Sequence, residues 1–242
     1  MLHDEGSLGP AQYAVTGSAG GTSRAPYDGL NLGDHVGDEP AAVAANRATL
    51  AAHLGLATLA FMRQVHGRDV AVVDSSPTAP APEADALVTT RPGTGLVVLV
   101  ADCVPVLLAA PGADGPVIGV AHAGRNGVLA EVVGAMVAAM RALGADITAG
   151  QAHVGPAVCG RCYEVPAELQ AEVVAAVPAA ASTTRDGTPG LDLPRAVLHQ
   201  LAAAGVRDIA HDETCTIETP ALFSHRRDGV TGRFAGVVWL PA

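Results

Sequence analysis

Four short apolar runs, at 86–89, 96–101, 106–110 and 117–121, follow one another through the middle of the chain, separated by Gly, Pro and Asp. Apolarity that is continuous instead of alternating predicts strands covered on both faces. Two further strands are expected at 206–210 and 235–240. Around these runs the spacing turns helical. A helix is predicted over 38–54, with Asp38 as its cap, Pro40 in its first turn and Gly55 just past its end; Val43, Leu50 and Leu54 fall near one face. A second is predicted over 127–143, where Val128, Leu129, Val132, Val133, Met136, Val137 and Met140 recur at helical spacing. First-turn prolines open two more, at 166–177 and 194–204.

The remaining stretches are punctuated by turn residues. Residues 1–37, rich in Gly, Ser, Asp and Asn, read as a short strand and then a long ordered loop. Segments 61–65 and 70–73 read as a strand pair around the turn His66-Gly67-Arg68-Asp69, and 75–82 as a Pro/Ala/Ser surface loop. The chain contains no repeat and no clear boundary. The expected fold is one α/β (α+β) domain over 1–242, layered, with a mixed β-sheet core flanked by helices.

Composition narrows the functions. With 49% hydrophobic and 16% charged residues the chain can bury a substantial core, and with 3% aromatics that core is aliphatic. Few aromatics also means few platforms for stacking bases. Fourteen Lys and Arg against 24 Asp and Glu give a net charge of −10, which disfavours nucleic acid and anionic membranes as partners. Local arginines can still hold a small anion. The start Met1-Leu2-His3-Asp4-Glu5 lacks the features of a signal peptide, and the longest apolar stretch, 96–110, is interrupted by Asp102 and Pro105. A soluble cytoplasmic protein is expected. Four cysteines are too few for a secreted disulfide scaffold, so the thiols are expected to be reduced.

Three side chains at predicted strand ends carry the chemistry: His66, Cys103 and His122. Two imidazoles and a thiolate suit Zn²⁺ and leave a fourth position for water or substrate. Cys103 lies 37 residues beyond His66 and His122 lies 19 beyond Cys103, so the fold itself must assemble such a site. Each residue also has a plainer reading: a buried small hydrophobe, a surface imidazole in a turn, a structural histidine. Asp102 tilts the balance, because a carboxylate inside an apolar run is costly to bury without polar company. After His122, the sequence Ala123-Gly124-Arg125-Asn126-Gly127 leads into a helix, whose first amides and Arg125 suit an anion.

Other motifs are more open. Cys159-Gly160-Arg161-Cys162 matches a redox pair or half a zinc ribbon, but its neighbours are loop-like and Cys215 stands alone in sequence. The stretch Ser224-His225-Arg226-Arg227-Asp228-Gly229 with Thr231-Gly232-Arg233 is either a solvated turn or the source of an arginine that grips phosphate or carboxylate. Arg47 offers the same from the other end of the chain.

Taken together, Asp28-Gly29-Leu30-Asn31-Leu32-Gly33, Asn46-Arg47, Gln64-Val65-His66-Gly67, Ala101-Asp102-Cys103-Val104-Pro105, His122-Ala123-Gly124, Cys162-Tyr163-Glu164-Val165 and Arg226-Arg227-Asp228-Gly229 span nearly the whole chain in order. In this set the chain resembles the laccase-domain or polyphenol oxidase family, the YfiH-like proteins described as purine nucleoside phosphorylases. The resemblance implies a zinc site on His66, Cys103 and His122. It also implies a monomer or homodimer with purine nucleosides and phosphate as partners, and phosphorolysis of adenosine, inosine, guanosine and methylthioadenosine with adenosine deamination. Two departures stand out. Arg125-Asn126-Gly127 replaces the family's usual Trp-Arg-Gly, removing an aromatic wall, and Cys159 is an extra thiol beside the expected Cys162.

On this reading Cys103 and Asp102 are the catalytic candidates, with Asp102 as proton carrier, and Asn31, Arg47 and Arg226 are the substrate-binding ones. Two alternatives remain. One is a metal-free cysteine hydrolase using Cys103 and His122. The other is a copper-dependent phenol oxidase, less favoured because such oxidases need more histidines per site.

Overall fold

Side chains along the central strands alternate between two buried clusters, and that alternation sets the architecture. The computed structural model describes residues 1–74 and 80–242. The chain opens with β1 (Leu2–Leu8), β2 (Ala11–Thr16) and α1 (Pro40–Leu54). Next come β3 (Thr58–Ala60), β4 (Val70–Val72), β5 (Ala86–Thr89), β6 (Thr94–Val100), β7 (Val104–Ala110) and β8 (Val117–Ala123). Helices α2 (Arg125–Leu129) and α3 (Val132–Ala142) lead to β9 (Gln151–Val154), α4 (Ala167–Ala176), β10 (Ala181–Thr183) and β11 (Pro189–Leu191). The chain closes with α5 (Leu193–Ala203), β12 (Asp208–His211), α6 (His225–Asp228) and β13 (Phe234–Trp239).

Two mixed sheets result, ordered β1-β2-β13-β6-β3 and β12-β9-β7-β8-β5-β4, with β10-β11 as a small ribbon. On β7, Val104, Val106, Leu108 and Ala110 face α3 and α5, while Leu107 and Ala109 face the other sheet. On β6, Leu96, Val98 and Val100 face inward between the sheets, while Val97 and Leu99 pack with Leu50 of α1. The layers therefore run helices, sheet, sheet, helix. Each fully buried Leu or Val contributes about 1.5–3 kcal/mol of transfer free energy. A Cβ at Gly119 of β8 would meet the sulfurs of Met140 and Met136 at 3.0 and 3.1 Å, so the bare glycine lets α3 lie close on the sheet.

The four central runs are strands buried on both faces, as expected. The mixed α/β domain flanked by helices holds, but its core is two sheets, since continuous apolarity does not say what covers each face. Several local expectations differ. Residues 1–37 begin with a hairpin of two strands. Helix α1 starts at Pro40, and Asp38 does not cap it: its carboxylate accepts from Ser23 Oγ at 2.6 Å and Asn31 Nδ2 at 2.9 Å. The helix expected over 127–143 breaks at Glu131, whose φ is 61°, and the Val128 carbonyl accepts there from both the Glu131 N–H at 3.1 Å and Gln200 Nε2 at 2.8 Å. Segments 61–65 and 70–73 do not pair: among the described residues 61–65 forms no strand and makes only an isolated bridge from Arg63 to Glu83, while β4 joins β5 in the second sheet. The part of the 75–82 loop at 75–79 lies outside the described residues. Among the described residues no helix is long and apolar enough to cross a membrane.

Candidate metal centre

The register of the second sheet brings distant residues to one edge. β7 pairs antiparallel with β8, Pro105 opposite His122, and β5 pairs antiparallel with β8, Ala86 opposite Ala121. Cys103, just before β7, His122, near the end of β8, and Asp85, just before β5, therefore share that edge. His66 arrives from the segment that crosses between the sheets. Gln64 clamps this segment to β6, its amide donating to the Leu99 carbonyl at 2.8 Å and accepting from the Leu99 N–H at 2.9 Å. The Asp85 carboxylate then gathers the N–H groups of Val65, His66 and Gly67 at 3.1, 3.0 and 2.6 Å. That pull holds His66 at φ 60°, in the left-handed region.

The result is a three-donor cradle. Donor atoms of His66, Cys103 and His122 all lie within 4.8 Å of one another. His66 Nε2 stands 3.9 Å from Cys103 Sγ, and the two imidazoles meet edge to face with centroids 4.7 Å apart. His122 Nδ1 lies 2.8 Å from Asp85 Oδ1 in a fully buried pair. A proton on Nδ1 directed at that carboxylate leaves Nε2 as the free donor, the usual carboxylate–histidine arrangement behind a metal. A Cβ at Gly124 would fall 2.8 Å from His66 Cδ2 and 2.9 Å from Cys103 Sγ, filling the cradle. The donor types, the oriented imidazole and the bare glycine all fit a divalent ion with one open position.

Electrostatics couple the same groups, and in the metal-free state they favour a thiolate beside a protonated imidazole. Burial alone would raise the Cys103 thiol, but His122 and then His66 outweigh it and bring it down to about 6. Burial would lower His122, but Cys103 and Asp85 lift it to about 9. Asp85, raised by burial, is held below the usual carboxylate range chiefly by its hydrogen bond from His122 and by the amide of Gly67.

The cradle borders a cavity of about 130 Å³ lined in part by Asp102, Cys103, Arg125, Tyr163 and Arg226. Arg226 lies over the Tyr163 ring at 4.9 Å and donates to the Glu164 carbonyl at 3.2 Å. Asp102, at φ 96°, accepts from Thr216 Oγ1, Ser224 Oγ and the Arg226 N–H at 2.6, 2.7 and 2.7 Å. Its carboxylate is thus spent on fixing the 216–226 segment. Asn31 is fully buried with both ends of its amide engaged: it accepts from Gly33 and Arg233 N–H groups and donates to Asp38 and the Gly33 carbonyl. It positions Arg233. Arg47 stacks on Phe61 at 3.9 Å, donates to the Leu32 carbonyl and pairs with Asp34 at 3.3 Å.

One residue of the cradle escapes a reading of the sequence. Asp85 carries the same signal as Asp102, a carboxylate at the margin of an apolar run, in Ala84-Asp85-Ala86. Arg233 belongs to the basic stretch that the sequence already marks as a source of an anion-holding arginine. Burial lowers its pKa, while Cys103 and Asp102 lie close enough to favour its charge, and it shares the surroundings of His35 with Arg47. Arg227, by contrast, is occupied by Asp228 and the carbonyls of Thr216, Thr219 and Leu222.

Residues 12–241 match the family model described as multi-copper polyphenol oxidoreductase laccase. The chain belongs to this family. It is 57% identical over 236 residues to a Streptomyces griseus protein named purine nucleoside phosphorylase, covering 96% of this chain and 95% of that one. Among solved structures, a Neisseria meningitidis protein superposes with a TM-score of 0.88 at 31% identity, covering 100% of this chain and 99% of the other. YfiH of Bacillus licheniformis gives 0.87 at 29% identity, covering 96% and 93%. The family relationship expected from the motifs is correct.

Proposed function

We propose that this protein is a cytoplasmic zinc-dependent purine nucleoside phosphorylase acting on adenosine, inosine, guanosine and methylthioadenosine, and that it also deaminates adenosine. The observation that carries this reading is the cradle itself. Two imidazoles and a low-pKa thiol converge, with one coordination position open, beside a cavity bordered by Arg125 and Arg226. The relatives' name supplies the substrate class.

Zinc bound to His66, Cys103 and His122 would supply Lewis acidity at its open position. The protein's own groups do the rest. Asp85 fixes the His122 tautomer. Arg226, held by Asp102 and Tyr163, and Arg233, held by Asn31, place positive charge on two sides, where phosphate must be aligned with the anomeric carbon. Arg47 extends that charge past His35. Such fixed charges stabilise an oxocarbenium-like ribose and its anionic partner without reorganising. Asp102 acts here as a positioning residue, since its oxygens already accept three hydrogen bonds.

The test incubates purified protein with adenosine, with and without phosphate, and identifies adenine, ribose 1-phosphate and inosine while bound zinc is measured. Phosphate-dependent adenine release by a zinc-loaded protein is expected. Full nucleoside cleavage by zinc-free Cys103→Ala protein would refute the metal reading.

A second reading rests on the chain Cys103–His122–Asp85, which has the order nucleophile, base and orienter. Activity in protein stripped of metal, abolished by alkylating Cys103, favours that hydrolase. The family's name favours copper, yet two imidazoles and one thiolate form a single mononuclear set; oxygen uptake with a phenol would support copper.

A further inference from the structure

Cys159, Cys162, Cys215 and Glu218 play no part in the centre above, yet the fold gathers them. Their donor atoms all lie within 4.8 Å of one another. In sequence Cys215 stands alone; in space it completes a cluster with the CxxC pair.

Two turns of the same build deliver the four groups. In the first, the Cys162 N–H donates to the Cys159 carbonyl at 2.9 Å; in the second, the Glu218 N–H donates to the Cys215 carbonyl at 3.1 Å. Each turn presents its first and fourth residues to one side. A parallel bridge between Ala157 and Cys215 holds the turns against each other, through Ala157 N–H to the Thr214 carbonyl and Thr216 N–H to the Ala157 carbonyl at 3.3 and 3.1 Å. The Cys159 N–H also points at Cys215 Sγ, 3.5 Å away, a contact that favours a thiolate. Gly160 is needed for this approach: a Cβ there would lie 2.6 Å from Ser182 Oγ and 2.7 Å from Asp192 Cβ.

The dimensions suit one ion. Sulfurs about 2.3 Å from a tetrahedral zinc stand about 3.8 Å apart, so small side-chain rotations suffice. Charge is also provided for. Three thiolates and a carboxylate around a divalent ion leave two negative charges, and Arg185 pairs with Glu218 while Arg161 lies within electrostatic range of it.

We infer that Cys159, Cys162, Cys215 and Glu218 form a second, closed site for a thiophilic divalent cation, zinc by its donor set. Four protein donors leave no position for substrate, so the site is structural. Thiol protons leave to solvent as the ion binds, with no change in oxidation state. The site ties the turn that begins at Cys159 to the segment around Cys215. The first runs directly into Tyr163 of the cavity wall; the second carries Thr216, which holds Asp102. The ion is a brace behind the pocket.

The test is metal stoichiometry by plasma mass spectrometry on reduced, desalted protein, with cobalt(II) titration of Cys103→Ala and His66→Ala variants. About two zinc ions per wild-type chain are expected, and about one in each variant. Cobalt should then give the sulfur-to-metal charge-transfer bands and intense visible bands of a tetrahedral thiolate site. Cys159→Ser/Cys162→Ser protein should lose that spectrum. One ion in wild type and none with no cobalt band in Cys103→Ala overturns the inference. So does a disulfide among Cys159, Cys162 and Cys215 found by peptide mapping of unreduced protein. One ion in wild type that persists in both single-site variants upholds the second site and refutes zinc at the first. Because those variants leave the second cluster intact, misfolding of the double serine variant does not obscure the outcome.

Discussion

The protein gathers sulfur and imidazole donors in two places, and the two are built differently. The His66–Cys103–His122 cradle is assembled from strand ends and a crossing segment, offers three donors and opens on a cavity. The Cys159–Cys162–Cys215–Glu218 cluster is assembled from two short turns, offers four donors and includes no residue of that cavity wall. Behind the first stands a buried carboxylate, Asp85, that orients a ligand; beside the second stands an arginine, Arg185, that neutralises one. On the reading proposed above, donor number and backing, not residue type, separate a reactive centre from a brace.

The sharpest difference is in the thiols. Burial opposes ionisation at both places, but Cys103 faces imidazoles and falls to about 6, while Cys162, with Cys159 and Cys215 beside it, is pushed up to about 12. In metal-free protein Cys103 is therefore a thiolate at neutral pH and loses reactivity only as pH falls through about 6. Cys162 stays a thiol until strongly alkaline pH. Iodoacetamide at pH 7 should label Cys103 about a hundredfold faster than Cys162, the larger thiolate fraction being partly offset by the lower intrinsic nucleophilicity of a low-pKa thiolate, read by peptide mass spectrometry. Equal rates break the comparison.

Glycine exchange separates the two regions next. Gly124→Ala pushes a methyl between His66 and Cys103 and should lower turnover by two orders of magnitude or more, leaving cobalt binding at the second cluster intact. Gly160→Ala displaces the CxxC turn from Ser182 and Asp192 and should weaken only the second cluster's metal. A crossed result, with Gly160→Ala emptying the cradle, means the two are one cooperative unit. Asp85→Asn is milder. It keeps the shape but weakens the orientation of His122, and metal affinity at the cradle should fall about 10–100-fold, measured by chelator competition.

How much of this was legible follows from what each residue's role depends on. The convergence of His66, Cys103 and His122 could be anticipated because few residue types suit a metal and each sits at the margin of an apolar run. The runs themselves gave the four central strands, since burial on both faces erases polar alternation. That two sheets share the burial, that 61–73 crosses between them, and that Glu131 interrupts a helical stripe are set by partners remote in sequence, such as Gln64 with Leu99 and Gln200 with Val128. Asn31 and Asp102 look like site residues in a motif. Only the hydrogen-bond partners reveal that they hold arginines in place. Cys215 is the clearest case: 53 residues beyond Cys162, it acquires meaning only from the Ala157–Cys215 bridge.

The smallest effect bears on whether the two regions communicate. Thr216 is the residue they share, following Cys215 directly and donating its hydroxyl to Asp102 at 2.6 Å in a buried setting. Thr216→Val removes a hydrogen bond to a carboxylate and should cost about 1.5–3 kcal/mol in urea unfolding. Combined with Cys159→Ser in a double-mutant cycle, the losses should fall short of additive by about 0.5–3 kcal/mol if the brace acts through Thr216. Strict additivity means the second cluster stabilises its own turns and sends nothing to Asp102. In that case Arg226 should keep its place, and kcat/KM should be indifferent to whether the cluster holds metal.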